Sequence, residues 1–325
     1  MTLKINDNIF VAGHNGMVGT AVVKSLIMKG YKNIITANRK ELDLLNQRNV
    51  YRFFESNKID AVFICSAKVG GIYSNSTYPY DFIYQNQMIQ NNIINAAHLS
   101  NINNLLFMGS SCIYPKLASQ PIHESQLLTG PLEPTNQWYA LAKISGIKLC
   151  EGMNIQFGRD YRSLMPTNLY GPNDNFHDLN SHVIPALVRR FYEAVIENKK
   201  SLKVWGSGKP KREFLHVDDL AKASIFLMEM DKQKFNSFIR PDLSHINVGT
   251  GNDISIEELV SIIRNISKYD GEIVFDDSKP DGTMKKVLDI STITSMGWSP
   301  EISLEDGLFD TYEWYKKNKD RAKKV

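Results

Sequence analysis

A doubly wound parallel α/β sheet carrying a smaller second lobe is the architecture this chain predicts, on three observations. Short apolar runs alternate with helix-length segments through the first half, the pattern of βαβ units. A glycine-rich turn follows the first apolar run and opens a helix pattern. At 325 residues the chain exceeds one such unit, and the regular alternation loosens after about residue 168, leaving material for a second α/β lobe.

Asn8–Ala12, Asn33–Ala37, Ala61–Ser66 and Asn104–Met108 are continuous apolar stretches of strand length, as expected of strands buried on both faces. Between and after them, Met17–Lys29, Gln47–Ser56, Tyr80–Leu99 and Gln137–Phe157 read as helices, and Arg162–Pro166 as a further strand. Asn168–Asn180 is rich in Asn, Pro, Gly and Asp, a loop composition. A helix over Val183–Glu197 follows, then a strand at His245–Val248. Ser255 and Glu258 have the capping-box spacing for a helix over Ile256–Ile266. The expected division is a dinucleotide-binding domain over residues 1–168, with a return segment at about 213–232. Residues 169–212 and 233–325 then form the second lobe.

With 42% hydrophobic and 22% charged residues the chain is ordinary for a folded domain. A net charge of +3 is too small to argue for nucleic acid. Cys65, Cys112 and Cys150 are an odd number with no metal-ligand spacing, so neither a disulfide framework nor a metal site is expected. The N-terminus runs straight into the first strand without a signal-peptide pattern, and no apolar run is long enough to span a bilayer. A cytoplasmic protein is expected.

Gly13, Gly16 and Gly19 form G-x-x-G-x-x-G at the strand–helix junction. There glycines allow a tight turn, close approach of a pyrophosphate to backbone, and helix-on-strand packing. Arg39 stands at the end of the second strand, where an NAD site keeps an acidic residue for the ribose 2′-hydroxyl. Its guanidinium suits a 2′-phosphate instead, which points to NADPH; Glu41, two residues on, leaves an NAD reading open.

Tyr139 and Lys143 make Y-x-x-x-K on the helix pattern, one turn apart on one face. A neighbouring ammonium is expected to draw the phenol down from about 10, making Tyr139 a general acid toward a carbonyl oxygen. Ser110 and Ser111 follow an apolar strand, where a hydroxyl meets the same oxygen. Tyr and Lys four apart are by themselves commonly surface residues; the serine pair after a strand is what raises their standing.

Across SAKVGGI (66–72), GSSCIYPK (109–116), EPTNQWYALAK (133–143), MPTNLYGPNDNFH (165–177), SHVIPAL (181–187) and REFLHVDD (212–219), the chain resembles the GDP-L-fucose synthase family of extended short-chain dehydrogenases/reductases. The likeness covers nearly the whole length. That family carries out C3/C5 epimerisation of GDP-4-keto-6-deoxy-D-mannose and NADPH-dependent reduction at C4. The resemblance implies Ser110, Tyr139 and Lys143 for reduction, and Cys112 and His182 for epimerisation. It implies cofactor contacts at Gly13, Gly16, Met17, Val18, Gly19, Arg39, Met108, Ser110, Lys143, Pro166, Asn168, Leu169 and His182. Nucleotide-sugar contacts are implied at Asn168, Arg190, Trp205, Arg212 and Asp281, and a homodimer through the two long helices. Without the resemblance, Cys112 reads as a small buried filler, His182 as a hydrogen-bonded core residue or a cofactor contact, and Trp205 as core or stacking in equal measure. Arg189, beside Arg190, reads as a solvated surface residue.

Two positions depart from the family pattern: Asn15 stands where the family has arginine, and Trp138 replaces a smaller residue before the tyrosine. A 4,6-dehydratase shares the fold but places an acidic residue after the active-site hydroxyls, where this chain has Cys112. The competing enzymatic reading is a dedicated C4 reductase of a related GDP-4-keto sugar, such as a heptose, without epimerase activity.

Overall fold

The computed structural model describes residues 2–178, 180–278, 281 and 283–322. Residue 1 of the expected first domain, residue 179 of the expected loop, and residues 279, 280, 282 and 323–325 of the expected second lobe lie outside them. Strands β1 (Ile9–Ala12), β2 (Ile34–Ile35), β3 (Ala61–Ile64), β4 (Asn104–Met108) and β5 (Asp160–Pro166) lie in one sheet. They alternate with α1 (Met17–Met28), α2 (Gln47–Ser56), the short α3 (Ile72–Thr77), α4 (Pro79–Leu99) and α5 (Gln137–Phe157). After β6 (Asn168–Tyr170) come α6 (Val183–Ile196), β7 (Ser201–Trp205), β8 (Lys211–His216), α7 (Val217–Glu229) and α8 (Lys232–Asn236). The chain continues through β9 (His245–Val248), β10 (Asp253–Ser255), α9 (Ile256–Ser267), β11 (Glu272–Asp276), β12 (Lys285–Lys286), α10 (Ser291–Met296) and α11 (Leu304–Asn318).

The main sheet runs β2-β1-β3-β4-β5-β9, all parallel. Every residue of β1, β3 and β4 is buried, which is why those segments are continuously apolar. The alternation of strands and flanking helices bears out the expected doubly wound sheet. One face carries α1 and α7, joined by Phe235, Ile293, Met296 and Trp298 in a single apolar cluster. The other carries α2, α4 and α5. Arg162, 2% exposed, pins β5 to the end of α7: it grips Asp160 at 2.7 and 2.6 Å and donates to the Met230 carbonyl at 2.9 Å.

A third cluster, built from α6, α9, α11 and their neighbouring strands, forms the core of the second lobe. There β8 is flanked by β10 and β12 and also pairs with β6, while β11 pairs with β7. Helix α9 starts with the capping box read from the sequence: the Glu258 amide donates to Ser255 Oγ at 3.1 Å and the Ser255 amide to Glu258 Oε2 at 2.8 Å.

The layout differs from the expected division at His245–Val248. That strand was assigned to the second lobe, but β9 pairs with β5 in the main sheet, with Ser163 against His245 and Pro166 against Val248. Its four residues are all buried, and α10, also assigned to the second lobe, packs against it through Ile293 and Met296. The apolar edge of β5 needs a covering strand, and the chain crosses back to supply one. The second strand is also shorter than Asn33–Ala37, and the expected loop over 168–180 opens with β6. Among the described residues no helix is long and apolar enough to cross a membrane.

Candidate active site

Chain order reverses between β1 and β3, so the crevice at their carboxyl ends is the topological switch point at which open α/β sheets bind ligands. Gly13 leaves β1 with φ of +85°, and a Cβ there would stand 2.7 Å from the Ser66 amide nitrogen. A Cβ on Gly19 would stand 2.2 Å from the Gly13 carbonyl oxygen. Both contacts are with backbone, so neither turn nor helix can yield, and glycine is required at both positions. The turn opens α1 at Met17, presenting unpaired amides toward the crevice.

From this turn a cleft of about 860 Å³ runs along the sheet edge. Its lining brings together Gly13, Gly16, Met17, Val18, Arg39, Met108, Ser110, Cys112, Tyr139, Lys143, Pro166, Asn168, Leu169 and His182. These sequence-predicted residues come from segments far apart in the chain. Gly19 lies behind the turn and shapes it rather than lining the cleft. Arg39 is exposed at the adenosine end expected for a dinucleotide.

The residues expected to be catalytic sit where α5 begins, over the end of β4. Lys143 is 3% exposed; its ammonium donates to the Met108 carbonyl at 2.7 Å and lies 4.8 Å from the Phe107 ring centroid and 5.6 Å from that of Tyr139. Burial brings it down to about 8. Tyr139 is held edge-on against Phe82, with ring centroids 6.2 Å apart. Burial pushes the phenol up, and the neighbouring Cys112 adds to the rise. The expected pull of Lys143 on the phenol does not set the direction: burial does, and Tyr139 is held as the neutral proton-bearing form. Ser110 caps the short 3₁₀ turn Ser111–Ile113, its Oγ accepting from the Cys112 amide at 3.4 Å.

Cys112 lines the cleft at 8% exposure, and its thiol is raised chiefly by burial; Lys286, Ser110 and Lys143 pull the other way. His182 is the N-cap residue of α6, is exposed, and lines the cleft. The loop that carries it is fixed by the Gly71 amide, which donates to the Asn180 carbonyl at 3.0 Å. The core-histidine alternative does not describe it.

Arg190, Trp205, Arg212 and Asp281 do not line this cleft. They gather on the second lobe beside it. Asp281 accepts from the Ser207 amide and hydroxyl, each at 2.7 Å, and the Arg212 guanidinium reaches its carbonyl at 3.5 Å. Arg190 donates to the Lys203 carbonyl. Trp205 is 58% exposed, which removes the core reading. Arg189 overturns its surface reading: it is buried, paired with Glu193 at 2.9 Å and with Asp178 at 3.0 Å. A carboxylate one helical turn on and another from the preceding loop satisfy its charge.

Sequence reasoning missed Lys286, which enters the same cleft from β12. It also missed Asn136, which lines the cleft at the start of α5. The oxygen of Asn136, Nδ1 of His14 and the Ser66 hydroxyl are buried in the cleft wall without a partner among the described residues. Buried polar atoms require partners, so together with the glycine turn they fit a bound dinucleotide and a polar substrate.

The profile of the NAD dependent epimerase/dehydratase family matches residues 9–249. GDP-L-fucose synthase of Escherichia coli (strain K12) is 58% identical over 97% of this chain and 98% of its own. This chain belongs to the GDP-L-fucose synthase family. GDP-L-fucose synthase 1 of Arabidopsis thaliana is 51% identical over 95% of this chain and 93% of its own. Among solved structures, a GDP-mannoheptose C4 reductase from Campylobacter jejuni with NADP bound superposes with a TM-score of 0.87 at 40% identity, covering 97% of this chain and 99% of that one.

Proposed function

We propose that this chain epimerises C3 and C5 of GDP-4-keto-6-deoxy-D-mannose and reduces C4 with NADPH, giving GDP-L-fucose. The observation that carries this reading is a thiol, Cys112, in the same cleft as the Tyr139–Lys143 pair and Ser110.

Protons at C3 and C5 flank the C4 ketone, so removing either leaves an enolate with its charge on O4. Ser110 and Tyr139 stabilise that oxygen. Cys112 takes the proton, and His182 delivers one to the opposite face of the same carbon, at C3 and again at C5. NADPH, held by the glycine turn and Arg39, would supply the hydride at C4. Tyr139 then gives its phenolic proton to O4, and Lys143 holds the positive charge beneath it. Arg39 holds the 2′-phosphate, while Arg190 and Arg212 match a diphosphate's oxygens; Trp205, Asn168 and Asp281 complete the nucleotide-sugar side. The working unit is a cytoplasmic homodimer joined through α4 and α5.

The test supplies GDP-4-keto-6-deoxymannose and NADPH in deuterated water. Deuterium at C3 and C5 in a product of L-fucose configuration is the expected outcome. The solved heptose C4 reductase supports a second reading: clean C4 reduction without exchange would replace the bifunctional assignment with a dedicated reductase.

A further inference from the structure

The segment that leaves β3, residues 65–71, is bound along its backbone by two buried asparagines. Asn86 of α4, 2% exposed, accepts from the Lys68 amide at 2.9 Å and donates to the Lys68 carbonyl at 3.0 Å. Asn75 of α3, 5% exposed, donates its side-chain amide to the Gly70 carbonyl at 2.7 Å and to the Gly71 carbonyl at 3.1 Å. Two carbonyl acceptors fix which end of the Asn75 amide faces them, because the flipped group would set oxygen against oxygen. The Asn75 backbone amide also donates to the Gly71 carbonyl, at 3.1 Å.

Gly71, so held, is the seat of another loop. Its amide donates to the Asn180 carbonyl at 3.0 Å, and a Cβ on it would stand 2.9 Å from the Ser181 carbonyl oxygen. Its φ of −66° suits any residue, so glycine is needed there for space. The next residue along that loop is His182, whose carbonyl accepts from the Ala186 amide at 3.0 Å as α6 begins. On its N-terminal side, therefore, His182 is set by Gly71, and Gly71 by Asn75. The reducing groups stand on other supports: Tyr139 rests against Phe82, and Lys143 on the Met108 carbonyl.

We propose that Asn75 is a positioning residue for epimerisation, its side-chain amide holding the Gly70–Gly71 backbone as the seat that sets His182 at the cleft. This rests on the function proposed above. Inversion needs a proton delivered to the face opposite the one that lost its own, so it depends on where His182 stands; proton removal and hydride transfer do not. When the seat shifts, Cys112 still breaks the C–H bond, and the electron pair passes to O4. Its thiol trades that proton with solvent and returns a deuteron to the face it came from. Exchange then continues while inversion is lost.

The test compares the parent, Asn75→Ala and Gly71→Ala in deuterated water with GDP-4-keto-6-deoxymannose and NADPH. Asn75→Ala deletes the clamp; Gly71→Ala leaves it and drives a Cβ into the Ser181 carbonyl. In both, formation of the product of L-fucose configuration should slow at least about tenfold, and deuterium in the unreacted substrate should rise relative to product. Reduction of an already epimerised 4-keto substrate at saturating NADPH should change by less than about threefold. Loss of folded protein would lower all of these together. Asn75→Ser, which keeps one donor, should recover part of the inversion rate, and it replaces Asn75→Ala if that variant does not fold. Without turnover, the Gly71 amide should exchange with solvent at least about tenfold faster in Asn75→Ala, and the His182 ring resonance should move in both alanine variants. Gly71 protection equal to the parent's, an unmoved His182 resonance, or inversion and reduction falling in equal proportion overturns the proposal. A parent that reduces without any exchange refutes the bifunctional reading; the amide and ring measurements then decide whether Asn75 sets His182.

Discussion

Replacing Lys143 by methionine should make the protein more stable while stopping its reduction step. The lysine is 3% exposed, and burial brings it from the usual 10.5 to about 8. Holding it protonated in the fold at pH 7 therefore costs about 3 kcal/mol relative to the unfolded chain. Methionine has similar length and no charge. It forfeits the 2.7 Å bond to the Met108 carbonyl, and an acceptor left short of a partner costs about 1–2 kcal/mol. The net expectation is a gain of about 1–2 kcal/mol at pH 7 in urea unfolding without cofactor. The sign with pH follows from the lowered value. Between about pH 8 and 10.5 the unfolded parent binds the proton that the folded parent releases, so parent stability rises through that window and the variant's advantage fades. Below pH 8 the advantage is constant. NADPH oxidation should fall at least a hundredfold in the variant. A variant less stable than the parent at pH 7, or an advantage unchanged between pH 8 and 10.5, would refute the reasoning.

Arg39→Ala should reduce the preference for NADPH over NADH about ten- to a hundredfold, the worth of one charge-assisted contact; kcat/KM with both cofactors measures it, and equal values in the parent would remove the assignment. Gly19→Ala forces a Cβ to within 2.2 Å of the Gly13 carbonyl, so NADPH affinity by fluorescence titration should drop at least tenfold. Light scattering at micromolar concentration should give the mass of a dimer, and a monomer mass would count against pairing through α4 and α5.

The main sheet was largely legible because strands buried on both faces leave continuous apolar runs, as Ala61–Ile64 does. The glycine turn and Tyr139–Lys143 were legible because their function depends on spacing along the chain. His245–Val248 was misassigned for a physical reason: its partner, β5, lies about eighty residues earlier, and nothing in four apolar residues states which sheet they join. Arg189 looked like surface because its satisfaction depends partly on Asp178 in a loop. Lys286 carried no signal. It is one lysine in a charged stretch, and only the pairing of β12 with β8 brings it to the cleft.

Glu213 is 0% exposed in β8, yet its carboxylate accepts the amides of Thr250 and Gly251, just past the main-sheet strand β9, and of Leu288, just past β12. One side chain thus stitches the loop leaving one sheet to the edge of the other, at the point where the chain threads between them. Separating the two halves would sever this seam and leave a buried carboxylate unmatched. The arms that would cradle a sugar nucleotide are welded at their root, so a ligand meets a jaw already set and forfeits little free energy in closing it.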